Sequence, residues 1–440
     1  MTTPLAQPMS RRQFARLGAM GALAVVSADI LAACGAASSA TTPASFTWEA
    51  IPSYSLQSTT ATRVTYLQNA INTWQNAHKP TKVSPVVASA DETAANARLL
   101  SEFATNRGPD IAMIDSYIFP TFAKFAQPID SYLSENNVSV NDFFPFCQKI
   151  MKNSKGQTLG LQFTTDVRNM YYRKDLIPTP PASWDDVMTI GQQMKAAGYS
   201  AYLFPAGRGE ATTITALLPY YWAQGYELYD SSGNLLIKSG APKTAMLNAL
   251  QFIERLVQQG LTPARVTQYT QETDLNSEIA SGKVAMALGG NFQVPQLEQV
   301  IGSSKFYSQW AVAPIPSMSG TSHATTSGGW VWATFTKDTG KQRAGISFIS
   351  DAFVNNQGMV GWCNVGGYLP TRTPVYSLST LQSNPFTPDF RNYLQQYTHV
   401  RPAVSSYQTL STALQVAVGS IVSGSQSASA ALNTVLQQVS

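Results

Sequence analysis

Gly160-Leu161-Gln162-Phe163-Thr164-Thr165-Asp166-Val167-Arg168-Asn169-Met170-Tyr171-Tyr172-Arg173-Lys174-Asp175 runs from an apolar extended segment through a charged middle, then meets Pro180-Pro181 and Ser183-Trp184-Asp185-Asp186. Side chains alternate between faces along a strand, so Asp166 and Arg168 share one face. The prolines fix a turn, and Ser183 with Asp186 three positions later is a variant of the capping box that opens a helix. A segment that leaves one lobe, carries opposite charges at mid-span and then opens a new strand–helix series sets those charges on the floor of a cleft. A half-exposed edge strand with a solvated Asp and Arg fits the same pattern.

Size favours the two-lobed reading, because 440 residues exceed one ordinary core and fit two domains. The chain is 44% hydrophobic and only 12% charged, with a formal net charge of +4. That is a globular composition, and it shows neither a basic stripe nor a clustered Lys/Arg helix face, so no nucleic-acid partner is expected.

The N-terminus reads as an export signal. Ser10-Arg11-Arg12-Gln13-Phe14 precedes the apolar run Leu17 to Ile30, which Leu31-Ala32-Ala33-Cys34-Gly35 closes. The arginine pair resembles a twin-arginine leader, and Leu-Ala-Ala-Cys resembles a lipobox whose cysteine is lipidated after cleavage. The apolar run falls short of the ~20 residues that span a bilayer. Residues 1–33 are therefore expected to be removed, with Cys34 as lipid carrier and residues 34–45, small and polar, as a flexible tether. Cys147 and Cys363 lie far apart in sequence, and two buried thiols are expected in preference to a disulfide.

Along the mature chain, Phe46 to Ala50 reads as a strand, and Val64, Leu67, Ile71 and Trp74 recur at helical spacing. Val83 to Val87 is a strand whose Pro85 argues for an edge. A helix capped by Asp91 leads to Gly108-Pro109-Asp110 and the strand Ile111 to Ile114. This alternation predicts a largely parallel sheet. Pro242 opens a helix carrying Met246, Leu250, Ile253 and Val257, which Gly260 ends, while Gly289-Gly290 reads as a turn after a buried strand.

Two segments carry a specific resemblance. The stretch from Gly160 through Trp184-Asp185 resembles the crossover of the extracellular solute-binding proteins of sugar ABC importers, the maltose-binding-protein-like family. Leu99 to Leu133, with Gly108-Pro109-Asp110 and Pro128-Ile129-Asp130, resembles that family's helix and apolar-strand segment. Gly282 to Phe292, Trp310 to Pro316, Gly328 to Ala333, Gly366 to Arg372 and Arg401 to Tyr407 extend the likeness over nearly the whole mature chain. It implies an α/β fold of two doubly wound lobes joined by a multi-crossover hinge, periplasmic-binding-protein-like of type II. One lobe is expected to take 46–163 plus 312–356 and the other 164–311 plus 357–440. It further implies a monomeric, extracytoplasmic lipoprotein that captures a carbohydrate and hands it to ABC permease subunits, touching the membrane only through its lipid anchor.

No catalytic set competes with this reading. His78, His323 and His399 are scattered and stand at no motif spacing from a cysteine, so no metal or cofactor is expected. A secreted carbohydrate-active hydrolase would need two placed carboxylates, for which Asp115 and Asp166 are the candidates. A sugar receptor needs flat aromatic rings and paired donors and acceptors. The aromatic candidates are Trp48, Tyr117, Trp222, Phe292, Trp330 and Tyr368, and the polar ones Asp115, Ser116, Asp166, Arg168, Asn291 and Arg372. Asp115, Ser116 and Tyr117 follow a strand's carboxyl end, where doubly wound sheets bind ligands. A polyamine receptor would show more carboxylates, and a phosphodiester receptor more arginines.

Overall fold

Short runs of β-branched and aromatic residues between turn signals become strands throughout the chain. The computed structural model describes residues 42–89 and 92–439. The expected export leader, Cys34, the expected tether as far as Thr41 and the expected cap Asp91 lie outside the described residues. In chain order the strands are β1 (Ser45–Ala50), β2 (Lys82–Val87), β3 (Ile111–Asp115), β4 (Gly160–Thr164), β5 (Arg168–Arg173), β6 (Ser200–Leu203), β7 (Val284–Gly290), β8 (Trp310–Ala313), β9 (Thr325–Ser327), β10 (Trp330–Thr334) and β11 (Thr398–Val400). They form a five-stranded sheet of order β2-β1-β3-β10-β4, a four-stranded sheet of order β6-β7-β5-β8 and a β11-β9 ribbon.

The opening stretch is thus two strands in two sheets, broken at Thr165-Asp166-Val167. Each sheet is parallel except for one strand. In the first, β1 runs parallel to β2 and β3, whereas β10 is antiparallel to β3 and β4. In the second, β6 and β7 are parallel, whereas β5 is antiparallel to β7 and β8. The exceptions are the strands by which the chain enters each sheet from the other. β4 ends at the carboxyl edge of the first sheet, so the chain arrives at the carboxyl edge of the second and can only run backwards into it. β10 makes the reverse journey. The sheets also correct the expected return crossing: β8, including Val312 and Ala313, pairs with β5, so the chain re-enters the first sheet only at Trp330.

Aromatic packing builds the first core, where Trp48 lies 5.3 Å from Trp332 and Phe163 lies 5.2 Å from Trp332, by ring centroids. Pro85 sits in the edge strand β2, where a missing N–H costs no ladder bond. The helix Ala61–Ala77 turns Leu67, Ile71 and Trp74 inward. Ser183 accepts from the Asp186 N–H and Asp186 returns a bond to the Ser183 backbone, completing the capping box of the helix Trp184–Ala196. The helix Gly240–Gln258 starts two residues before Pro242, and Gly260 follows it at φ +67°. It packs against the C-terminal helices Tyr407–Val422 and Ala428–Gln438. Among the described residues no helix is long and apolar enough to cross a membrane. Cys147 and Cys363 are buried, free thiols.

Gly289 and Gly290 are the last residues of β7 and not a turn. The space a side chain would need is already filled by Gln293 at Gly289 and by the Phe292 ring at Gly290. Gly329, in the return crossing, has φ +129°, and a Cβ there would fall on the carbonyl oxygen of Thr164. Backbone in such a region costs a non-glycine residue about 1–3 kcal/mol, with the clash added. Gly329→Ala should therefore lower the unfolding free energy by at least that amount in urea titration. A variant within ~0.5 kcal/mol of the parent, the usual range for a neutral surface change, would refute the constraint.

Candidate ligand-binding site

The carboxyl edges of the two sheets face the same space, because the crossings from β4 to β5 and from β9 to β10 run between them. A third follows the helix Asn356–Gly366, which packs on the helix Ala61–Ala77 of the first side, so the expected lobe boundary at 356/357 falls too early, and it leads to the C-terminal helices of the second. On the first-sheet side β3 ends at Asp115, opposite Trp330 of β10. The Ser116 N–H donates to the Gly329 carbonyl (3.0 Å) and the Tyr117 N–H to Asp115 Oδ1 (3.2 Å). Beyond β1, Tyr54 stacks on Tyr368 with centroids 5.4 Å apart and tilts against Trp330 at 5.6 Å. The Arg63 guanidinium lies 5.2 Å from the Tyr368 ring. Burial pushes the phenols of Tyr54 and Tyr368 up, so both stay neutral at physiological pH. Half-buried Trp330 and Tyr368 thus offer flat ring surface beside fixed polar groups.

Two arginines organise the charge. Arg168 at the start of β5 pairs with Asp166, and its Nε donates to Glu272 Oε1 (3.2 Å), which also accepts from the Thr215 hydroxyl (2.6 Å). The Phe292 ring lies 5.6 Å from the same guanidinium. Arg401 Nη2 donates to both oxygens of Asp115 (2.8 and 2.7 Å), and its Nη1 lies 3.9 Å from Glu210 Oε1. Glu210 in turn accepts from the Tyr407 and Ser411 hydroxyls, each at 2.6 Å. Burial alone would favour neutral arginines, but the flanking carboxylates outweigh it and raise both above the ordinary arginine range. Asp166 is pushed up by burial, against the opposing pull of Arg168 and Arg401, and Glu272 and Asp115 add to the push.

Of the residues expected from sequence, Asp115, Ser116, Tyr117, Asp166, Arg168, Phe292, Trp330 and Tyr368 stand along these edges and the crossing between them. Four others are engaged within the fold. Trp48 is wholly enclosed among Trp332, Phe348 and Phe353, because its place on β1 faces the helices and not the strand end. Trp222 is buried against the His399 ring at 5.0 Å. Arg372 is locked to Asp142 (2.6 Å), the Val354 carbonyl (2.9 Å) and Asn356 (3.0 Å). Asn291 spends its amide on the fold, accepting from the Val167 N–H and donating to the Gly367 carbonyl, both at 2.9 Å. Sequence reasoning missed Tyr54, Glu210, Glu272, Arg401 and Tyr407. Tyr54 follows a strand's carboxyl end and could have been found by the rule that singled out Asp115. Among the described residues no group of three or more His, Cys, Asp or Glu is placed to hold a metal ion.

Arg168 ties β5 to both carboxylates in a nearly water-free setting. Removing one partner of such a network leaves its charges unpaired, at about 3–5 kcal/mol. Arg168→Met should lose that much stability by chemical denaturation, and a double-mutant cycle with Glu272→Gln should recover part of it. Additive losses would show that the two side chains are not coupled.

Residues 69–388 match the family described as bacterial extracellular solute-binding protein. Among curated relatives, binding proteins of Brucella abortus (strain 2308) and Brucella suis biovar 1 (strain 1330) are 28% identical over 231 residues. The match takes in 50% of this chain and 52% of theirs, so the chain spans about half the length of the curated relatives it matches. The fold is shared with the sugar-binding protein MalE of Xanthomonas citri, at TM-score 0.73 and 22% identity over 90% of this chain and 96% of that one. It is shared equally with the maltose-bound MalE3 of T. maritima, at TM-score 0.72 and 21% identity over 90% and 98%. A protein solved with mannotriose bound also superposes, at TM-score 0.69 and 19% identity over 90% and 100%. With two α/β lobes joined by a multi-crossover hinge and a family match over most of its length, this chain belongs to the bacterial extracellular solute-binding proteins, with a maltose-binding-protein-like fold.

Proposed function

We propose that the protein captures a neutral carbohydrate, such as an oligosaccharide, between its two lobes and delivers it to an ABC importer. The observation that carries this reading is the half-buried ring surface of Trp330 and Tyr368 beside polar groups already fixed by partners inside the protein. Pyranose rings stack on such surfaces, and their hydroxyls bridge donors and acceptors without bringing charge of their own. Arg168 and Arg401 are each engaged by two carboxylates, so a phosphate finds no free guanidinium; the four carboxylates outnumber the two arginines, so it is the ring surface and not the charge that sets a sugar above a polyamine. Similar folds that hold maltose and mannotriose support the same ligand class. No catalytic role is assigned to the carboxylates, because Asp115 and Asp166 are both held by guanidinium groups and are poorly placed to transfer protons.

Closure is part of the proposal. Lobes built on the two sheets, with the return to the first at Trp330, would hinge at residues 164–168 and 327–330. Ligand then binds the closed arrangement better than the open one, and a permease can read the difference. The protein would act as a monomer outside the cytoplasm, held to the membrane by a lipid on Cys34.

A thermal-shift panel of oligosaccharides, polyamines and phosphodiesters tests the ligand class, and stabilisation by a cation alone would overturn it. With the best sugar, Trp330→Ala should weaken binding at least tenfold, or ~1.4 kcal/mol. The sugar should be recovered intact after prolonged incubation, whereas cleavage abolished by Asp115→Asn would make the protein a hydrolase. Mass spectrometry of protein from membranes should find the chain beginning at a lipid-modified Cys34, and a retained leader or bare thiol would exclude the anchor.

A further inference from the structure

Arg401 occupies an unusual place for a structural side chain. It follows β11, which pairs only with β9, and β9 is fastened to the second sheet by Thr325. That threonine's hydroxyl accepts from the Arg168 N–H (2.9 Å) and donates to the Arg168 carbonyl (2.7 Å). The adjacent Thr326 hydroxyl donates to the Ile214 carbonyl (2.6 Å). Arg401 is therefore anchored on the second-sheet side, and Glu210 and Tyr407, which neighbour it, belong to helices there. Yet its guanidinium donates to both oxygens of Asp115 and lies 4.0 Å from the Tyr117 ring centroid, both at the end of β3 in the first sheet. Tyr117 adds a second link across the same gap, its hydroxyl 3.3 Å from Gln408 Oε1 and its ring 5.8 Å from that of Tyr407. Gly328, in the crossing itself, runs beneath this bridge: a Cβ there would stand 3.6 Å from Arg401 Nη2 and 3.6 Å from Ser116 Oγ.

We infer that Arg401, through Asp115 and Tyr117, is the positioning residue that draws the two lobes together, a bridge between them that ligand binding reinforces. The inference rests on the proposed closure but needs no ligand to test. The pair is formed only when the end of β3 meets the segment after β11. A hinge rotation that parts the lobes must break it, and would expose Asp115 on one wall and leave Arg401 with Glu210 on the other. Removing one partner of such a shielded pair leaves the other charge uncompensated, and Arg401 shows 11% side-chain exposure and Asp115 9%. Fine geometry adds to the attraction, since a guanidinium stacked on a phenol ring gains cation–π stabilisation along with its ion pair.

The experiment is small-angle scattering on the full mature chain with no sugar added. Arg401→Met and Asp115→Asn should each raise the radius of gyration, the double variant no further than either, and the charge swap Asp115→Arg with Arg401→Asp should return it toward the parent value. Asp115→Asn preserves shape, so it covers the case in which Arg401→Met fails to fold. In the presence of the best oligosaccharide from the panel, both single variants should still compact, with Kd raised at least tenfold. Scattering unchanged in the singles, or effects that add in the double variant, would overturn the bridge whatever the ligand proves to be. A parent protein that binds no sugar but opens on Asp115→Asn would instead keep the bridge and overturn the ligand class.

Discussion

A strand that enters a sheet from its carboxyl edge has to run against its neighbours, and this constraint governs the molecule. The chain passes between two parallel sheets whose carboxyl edges face each other, so β5 and β10 are antiparallel by necessity. Each lies inside its sheet, with partners on both sides, and therefore ties its crossing segment to the core of each lobe. The space between the edges is then roofed by strand ends and by the residues just beyond them. That is why the polar and aromatic groups of the site come from positions so distant in sequence.

The same geometry explains how charge is tolerated there. Arg168 begins β5 where it enters the second sheet and meets Asp166 in the crossing and Glu272 beyond it. Arg401 meets Glu210 on its own side and Asp115, at the end of β3, across the gap. Each cation is held by carboxylates on separate elements, so its desolvation is offset only when those elements are assembled. Charge in this protein is therefore an assembly device. The hydroxyls of Thr215, Tyr407 and Ser411 satisfy the remaining carboxylate lone pairs.

Much of this arrangement was legible in the sequence. The stretch from Gly160 to Asp175 points to the crossing through its likeness to the family's segment, since its charge pattern alone fits an edge strand equally well, and Ser183 with Asp186 announces the helix beyond it. Pro85 marked an edge because it lacks a donor. Other features were hidden by distance or by direction. The Arg401–Asp115 pair joins residues 286 positions apart, so no local pattern could supply it. Trp48 and Trp330 look alike in sequence, each an aromatic on a β-strand. The glycines before Trp330 set it apart, and the topology completes the distinction: Trp48 faces the helices at mid-strand, whereas Trp330 stands at the entry of a crossing strand. The likeness of Trp310 to Pro316 to the family's return crossover puts the expected crossing there. β8 instead finishes the second sheet, and the glycine pair at 328–329 makes the turn.

The enclosure of the aromatic core has an optical consequence. Of the eight tryptophans in the chain, seven are buried: Trp48, Trp74, Trp184, Trp222, Trp310, Trp332 and Trp362. Trp330 alone keeps appreciable exposure, and it stands beside Tyr54 at the opening of the cleft. The seven are shut away from solvent, Trp74 and Trp222 against histidine rings and Trp310 beside the Arg173 guanidinium, whereas the indole of Trp330 is open to a change in the space between the strand edges. The chain thus carries one environmentally sensitive fluorophore against a constant background, placed by the register of β10, and it could report occupancy of the cleft without any label.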